Sequence, residues 1–448
     1  MISLKLLVLS LFHGCGVLAA AYEQSQRVYT AEVEDSLSSL QSRLQVKFDE
    51  IFSSQTEAYA MWIGLSHPDI GDMYFVFGNS TSSVPGMSPP DVTATLDDTF
   101  QIGSISKTFL GTAMLLLEER GDLSLSDKVG TLIPEFTTKF PQYANYTVEN
   151  LLRMETLVND FLNDPKGILS NYTEDITQTY SPEEIVTYAL WDGLLEKPVY
   201  STTNFVVGDV IVEKITGQVI QDVIEELVLK PLNLTHTQLP GRYSVGELPS
   251  PAATPYLGSM CYGEFVMFGA EGLVIGQDNT NFSLGIVMAG TGGAINSNIY
   301  DLLAWAKSGT GDALLTQEAV SRRHQVGKGY EGYGIAQYEK LNIGYDPVLG
   351  DIVANVSTGW RGHTGDAFGY EAFAFHSEEL GVSFAGAINT CGGASYITLD
   401  PALFDVVVPE FEAYMNSTAS SPAASHSDAL VTSSSVGVLC LIGAIFCL

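Results

Sequence analysis

The sequence predicts a two-lobed protein of mixed class, α/β plus all-α, in which an antiparallel sheet is flanked by terminal helices and a helical lobe is inserted. Strand-like segments pair as two hairpins toward opposite ends of the chain, a segment of helical character lies outside each hairpin, and the stretch between them is rich in helices and loops. With 448 residues and an apolar fraction of 46%, the chain has the material for a large core.

Met1 to about Ala20 carries one basic residue, Lys5, then the apolar run Leu6 to Phe12 and the small residues Ala19-Ala20-Ala21, the pattern of a secretory leader cleaved near Ala20. Ala31 to Phe52 has helical periodicity, and Ala58 to Ser66 with Met73 to Phe77 forms the first hairpin. Thr108 to Glu119 reads as an amphipathic helix, and Phe205 to Ile215 is an apolar run that follows Tyr200-Ser201-Thr202. Tyr370 to His376 pairs with Val382 to Asn389 as the second hairpin, and Pro401 to Tyr414 closes the fold as a helix. The folded part, 21–415, thus divides into an α/β lobe at about 21–120 and 291–415 and a helical lobe at about 121–290, with the substrate cleft at their junction.

Beyond it, 416–435 is a spacer rich in serine and alanine, and 436–448 is apolar to the last residue. Too short to cross a bilayer comfortably and lacking a basic stop, this tail reads as a glycosylphosphatidylinositol-attachment signal, with Ser425 and Ser427 as attachment candidates. The two ends together predict a secreted protein or one held at the cell surface by a lipid anchor.

Chemistry is concentrated in Ser104-Ile105-Ser106-Lys107, at the start of the Thr108 to Glu119 helix. A spacing of three places hydroxyl and amine side by side on one helical turn. There the lysine takes the serine proton once burial or a second cation lowers its pKa. Gly103 permits close backbone approach, and the N-terminal amides of the helix favour an oxyanion. Two further motifs follow in order, Tyr200-Ser201-Thr202 and Gly362-His363-Thr364-Gly365.

With these three motifs, the chain from roughly Ala94 to Asn389 resembles the penicillin-recognising serine hydrolases, in the branch of class C beta-lactamases, D-alanyl-D-alanine carboxypeptidases, D-aminopeptidases and related esterases. Phe100 to Asp127 resembles the family's nucleophile helix and the loop after it, Tyr200 to Gly217 its tyrosine motif and helix, and Gly292 to Ala306 its glycine-containing turn and helix. The resemblance implies a beta-lactamase/transpeptidase-like fold and a cofactor-free acyl-enzyme mechanism. Ser104 attacks a carbonyl, Lys107 removes its proton, and Tyr200 alternates as base and acid. His363, where many relatives carry lysine, orients the tyrosine or a substrate carboxylate, with weaker or pH-dependent recognition of that carboxylate. The backbone amides of Ser104 and Asp366 form the oxyanion hole, the second presented on a strand edge after Gly365, with Thr202, Thr364 and Gly365 beside the substrate.

Two residues depart from the family pattern. Thr202 replaces the usual asparagine and lacks its amide geometry, which argues against beta-lactam turnover. Asp366 replaces a small residue, and its carboxylate is unfavourable beside developing negative charge unless it points away from the cleft. The expected function is a serine hydrolase acting on an ester, an amide or a D-amino-acid-containing peptide. A degenerate binding protein on the same fold and an acyltransferase using the same nucleophile are the alternatives.

Of the five cysteines, Cys15 lies in the leader and Cys440 and Cys447 in the tail, which leaves Cys261 and Cys391 as a candidate disulfide or as two buried thiols, and no metal set. Asn79, Asn145, Asn171, Asn233, Asn281, Asn355 and Asn416 begin glycosylation acceptor triplets. A formal charge of -32 argues against nucleic acid as a partner and favours neutral or cationic small-molecule or peptide substrates.

Overall fold

The computed structural model describes residues 31–419 except 56, 84–89, 165–166, 169–177, 243–247, 260, 264–271, 281–284, 329–333, 340–344, 347–349, 352–358 and 392–399. The expected leader, the apolar tail, the spacer from 420 onward and the acceptors Asn171, Asn281 and Asn355 lie outside the described residues. The described chain divides into two compact units, one of 45–408 and one whose described parts are 31–44 and 409–419. In the smaller unit, Arg43 Nε donates to Glu410 Oε2 at 2.8 Å.

The larger unit is built on a seven-stranded antiparallel sheet. Its strands are β1 (Ala60–His67), β2 (Gly71–Thr81), β3 (Val92–Thr93), β4 (Tyr338–Glu339), β5 (Trp360–Ala367), β6 (Tyr370–Ser377) and β7 (Val382–Ile388), in the spatial order β3-β2-β1-β7-β6-β5-β4. The expected hairpins are β1–β2 and β6–β7, and the first turns at Gly71, whose φ of 86° suits glycine. Pairing of β1 with β7, from Met61↔Ile388 to Ser66↔Ser383, fuses the hairpins into one sheet.

Residues directly opposite one another on neighbouring strands share a face. Gly64, Ala385, Ala374 and His363 are in register across β1, β7, β6 and β5, so one face carries small residues around the histidine. A helix, Ile299–Lys307, packs there, its Leu303 Cβ 3.2 Å from where a Cβ on Gly64 would lie. The opposite face is aromatic. Phe373, Phe375 and Phe384 surround Phe404 of the C-terminal helix Asp400–Ala419, at centroid distances of 5.7, 5.9 and 4.8 Å. The N-terminal helix α1 (Ala31–Ser54) sets Phe48 and Phe52 on Phe75 and Phe77 of β2, at 5.1 and 5.9 Å.

The serine–lysine motif opens helix α2 (Ser106–Glu119), and the tyrosine motif precedes helix α3 (Thr203–Thr216). The expectation that α2 is amphipathic is corrected. Ser106 through Leu115, and Leu117, are all buried, because the sheet, α3 and the segment Gly285–Gly292 pack around it. Gly208 lets α3 approach α2, since a Cβ there would lie 2.7 Å from Leu110 Cδ2. Cys261 and Cys391 form a disulfide with Cα atoms 5.8 Å apart, beside a short parallel pairing of Tyr256–Leu257 with Thr390–Cys391. Asn145, Asn233 and Asn416 are exposed and Asn79 is half-buried.

Candidate active site

Gly103, with φ of 50°, turns the chain out of the Phe100–Gln101 strand pair into a single 3-10 turn, Gly103–Ile105. Ser104 sits in that turn, two residues ahead of α2 proper, and is half-buried. Lys107 follows on the first turn of α2 and is fully buried. Its Nζ lies 2.9 Å from Ser104 Oγ and donates to the Gly292 carbonyl oxygen at 2.5 Å. The Tyr200 ring lies beside the same amine, its centroid 4.9 Å away, and Phe205 closes another side at 5.5 Å.

This enclosure sets the charge of Lys107. Removal from water, the largest influence, lowers its pKa from an ordinary 10.5 to about 7, while the Asp160 carboxylate pulls it partly back. Near neutrality a large share of the amine is therefore uncharged and able to accept the serine proton. Asp160 is nearly buried and accepts the Thr202 N–H at 2.7 Å, which ties the tyrosine motif to the 160 turn. Thr202 itself sits against the glycine turn, where a Cβ on Gly292 would lie 2.6 Å from its Cγ2.

His363 approaches from β5. Its ring centroid is 6.3 Å from that of Tyr200, and its Nδ1–H donates to the Thr364 carbonyl oxygen, which leaves Nε2 as the acceptor nitrogen. Burial first, and the Lys107 ammonium second, push its pKa down to about 3. The expected pH-dependent recognition of a carboxylate by His363 is thereby corrected: the residue is neutral throughout the physiological range, and the group that titrates there is Lys107.

β4 pairs with β5 at Arg361 and Gly362, and the later part of β5 meets the serine turn. A Cβ on Gly365 would overlap the Ile102 carbonyl oxygen and reach within 3.1 Å of Ser104 N, and one on Gly103 would lie 2.5 Å from Asp366 N. Two glycines thus bring the Ser104 and Asp366 amides together, as an oxyanion hole requires.

Register settles where the neighbouring side chains go. Thr364 and Asp366 lie opposite Phe373 and Glu371, and Phe373 packs on Phe404 on the aromatic face. The side chains of Thr364 and Asp366 therefore leave the sheet on the side away from His363, and only their backbone groups belong to the site. The Asp366 carboxylate stays away from any oxyanion.

Ser104, Lys107, Tyr200 and His363 are brought together by three distant segments, with Gly365 and the Asp366 backbone beside them. Sequence reasoning missed Asp160, Phe205 and the Gly292 carbonyl. A backbone acceptor leaves no signature in residue type. Asp160, in Asn159-Asp160-Phe161, offered only the signal of an N-cap, a role it also fills toward Leu162 N–H at 3.1 Å.

An antiparallel sheet with a buried lysine on the first turn of a covered helix, beside a serine in the turn that leads into that helix, defines the serine beta-lactamase fold, a serine-hydrolase architecture. The chain belongs to the Beta-lactamase family, whose model matches residues 83–407. It is 24% identical over 279 residues to Penicillin-binding protein 4* of Bacillus subtilis (strain 168), covering 59% of this chain and 56% of that one. It spans 39% of the length of Putative penicillin-binding protein PbpX and 56% of that of Penicillin-binding protein 4*, both of Bacillus subtilis (strain 168). Among solved structures it is similar to D-amino acid amidase from Ochrobactrum anthropi SV3 complexed with L-phenylalanine, with a TM-score of 0.68, 19% identity, and coverage of 84% of this chain and 99% of that one. A D-stereospecific amidohydrolase from Streptomyces sp. aligns with a TM-score of 0.62 and 20% identity, over 83% of this chain and 98% of that one.

Proposed function

We propose that the protein is a serine hydrolase that opens an ester or amide through a Ser104 acyl-enzyme. The observation that carries this reading is the fully buried Lys107 amine, with a pKa of about 7, standing 2.9 Å from the Ser104 hydroxyl. Neutral Lys107 accepts the Ser104 proton as Oγ attacks the carbonyl. Negative charge on the carbonyl oxygen is met by the Ser104 and Asp366 amides. Tyr200, over the amine, relays the proton to the leaving group and later takes one from the deacylating water, and the His363 acceptor nitrogen orients it.

Because His363 is neutral, it offers no positive charge to a substrate carboxylate, and the charge of -32 favours neutral or cationic substrates. Amides and esters of D-amino acids with a free amine fit this description, and the amidase and amidohydrolase likeness in fold supports trying them first. The test is intact-mass analysis after incubation with a fluorophosphonate, followed by turnover of activated esters and paired D- and L-aminoacyl amides. A single adduct at Ser104 with turnover supports the hydrolase. No adduct on folded protein makes it a binding protein on this fold, and products carrying added amines make it an acyltransferase.

The protein works outside the cell, either released or held by a lipid on its C-terminal spacer. The leader pattern, the exposed acceptors Asn145, Asn233 and Asn416 and the Cys261–Cys391 disulfide support this location. No helix among the described residues is long and apolar enough to cross a membrane. Expression in a glycosylating host tests it: mass loss on glycosidase treatment and release by a phosphatidylinositol-specific phospholipase are expected. Retention inside the cell overturns the location, and surface retention after lipase treatment overturns the anchor.

A further inference from the structure

The carbonyl that receives Lys107 belongs to Gly292, in a turn that the catalytic motifs do not account for. The preceding residue, Thr291, is bound twice to Asp209: its N–H donates to Oδ2 at 3.2 Å and its hydroxyl donates to Oδ1. Asp209 is fully buried on α3, the helix that Tyr200 precedes, and accepts from Arg242 Nη2. Arg242 Nη1 in turn donates to the Met288 carbonyl oxygen at 3.1 Å. Gly290 lies between these anchors with φ of 55°, and a Cβ there would come within 2.6 Å of Arg242 Nη2, so the turn closes on the ion pair only with glycine.

A buried ion pair is a costly way to fill a core and an effective way to fix geometry when every remaining lone pair and proton is engaged. Here both Asp209 oxygens are engaged by Arg242 and Thr291. Burial, the largest influence, raises the Asp209 pKa to about 6, with Arg242 and the Thr291 bonds opposing it.

We infer that Thr291, held by the Asp209–Arg242 pair, is a positioning residue that keeps the Gly292 carbonyl against Lys107 and so fixes where the amine stands toward Ser104. This inference rests on the proposed role of Lys107 as the base for Ser104. Loss of the Thr291 hydroxyl frees the turn, weakens an acceptor that favours the ammonium, and lets the amine drift from the nucleophile.

The test compares the wild type with Thr291→Val, which keeps shape and excludes water, and Thr291→Ser, which keeps the hydroxyl. Two readouts are taken: the rate of fluorophosphonate labelling at Ser104, and the Lys107 titration in ε-13C-lysine NMR spectra, assigned by its loss in Lys107→Met. Thr291→Val is expected to label roughly 10-fold more slowly and to lower the Lys107 midpoint by about half a unit, while Thr291→Ser stays within about 2-fold of wild type. An unchanged rate and midpoint in Thr291→Val, or equal impairment in Thr291→Ser, overturns the positioning role. A wild type that gives no adduct while its Lys107 midpoint still moves in Thr291→Val sinks the nucleophile reading and leaves the positioning role standing.

Discussion

Lys107 Nζ stands between Ser104 Oγ, at 2.9 Å, and the Gly292 carbonyl oxygen, at 2.5 Å, so a single buried amine joins the nucleophile turn to the glycine turn. Serine activation follows from this relationship, because the carbonyl holds the amine in place while burial keeps it partly uncharged. Ser104→Ala is expected to abolish covalent labelling and leave the circular dichroism spectrum unchanged. Stoichiometric labelling of that variant would remove Ser104 as the nucleophile.

The rate of acylation is expected to rise with pH about a midpoint near 7, the value at which Lys107 becomes free base. His363, depressed to about 3, adds no limb between about pH 5 and 8. A profile of kcat/KM that keeps its midpoint in His363→Gln supports Lys107 as the titrating group, and a midpoint lost with the histidine assigns it to His363 instead.

The same shift has a cost in stability. The folded-state pKa of Lys107 lies below the 10.5 of the exposed side chain, so the unfolded chain binds the extra proton between these values. The penalty is fully present below about pH 7 and is relieved as pH rises toward 10.5. Lys107→Met is expected to be more stable than wild type at neutral pH, by on the order of 3 kcal/mol, with the gap closing toward pH 10. Denaturant melts at several pH values check this, and equal stabilities at pH 6 would show that the lysine is not desolvated.

Tyr200→Phe keeps the ring over Lys107 and removes only the phenolic proton carrier. Acylation and deacylation are both expected to slow by roughly 10²-fold, read by stopped-flow burst and steady-state phases. If only one phase responds, the tyrosine serves one step and another group serves the second.

Gly365→Ala forces the β5 edge away from Ile102 and Ser104, because its Cβ would overlap the Ile102 carbonyl oxygen. A loss of roughly 10²- to 10³-fold in kcat with little change in KM is expected if the Ser104 and Asp366 amides stabilise the oxyanion. Loss confined to KM would place Gly365 in substrate binding.

The sequence alone determined the features that short spacings control. Ser104 and Lys107 share a helical turn because residues three apart must, and the two hairpins and the terminal helices lie where local pattern placed them. Local pattern did not mark strand β5, which only the family resemblance placed on a strand edge, since Trp360 to Ala367 carries two glycines and three charged or titratable side chains and takes its strand form from the ladder with β6. Only the tertiary structure decided that α2 is covered on every side, which sets the charge of Lys107. It alone aimed the Asp366 carboxylate away from the site through the register with Glu371, and it alone supplied Gly292, Asp160 and the Asp209–Arg242 pair as partners. The division has one physical cause: spacing along the chain fixes which neighbours share a turn, whereas burial, register and backbone acceptors depend on residues that meet only after the chain has folded.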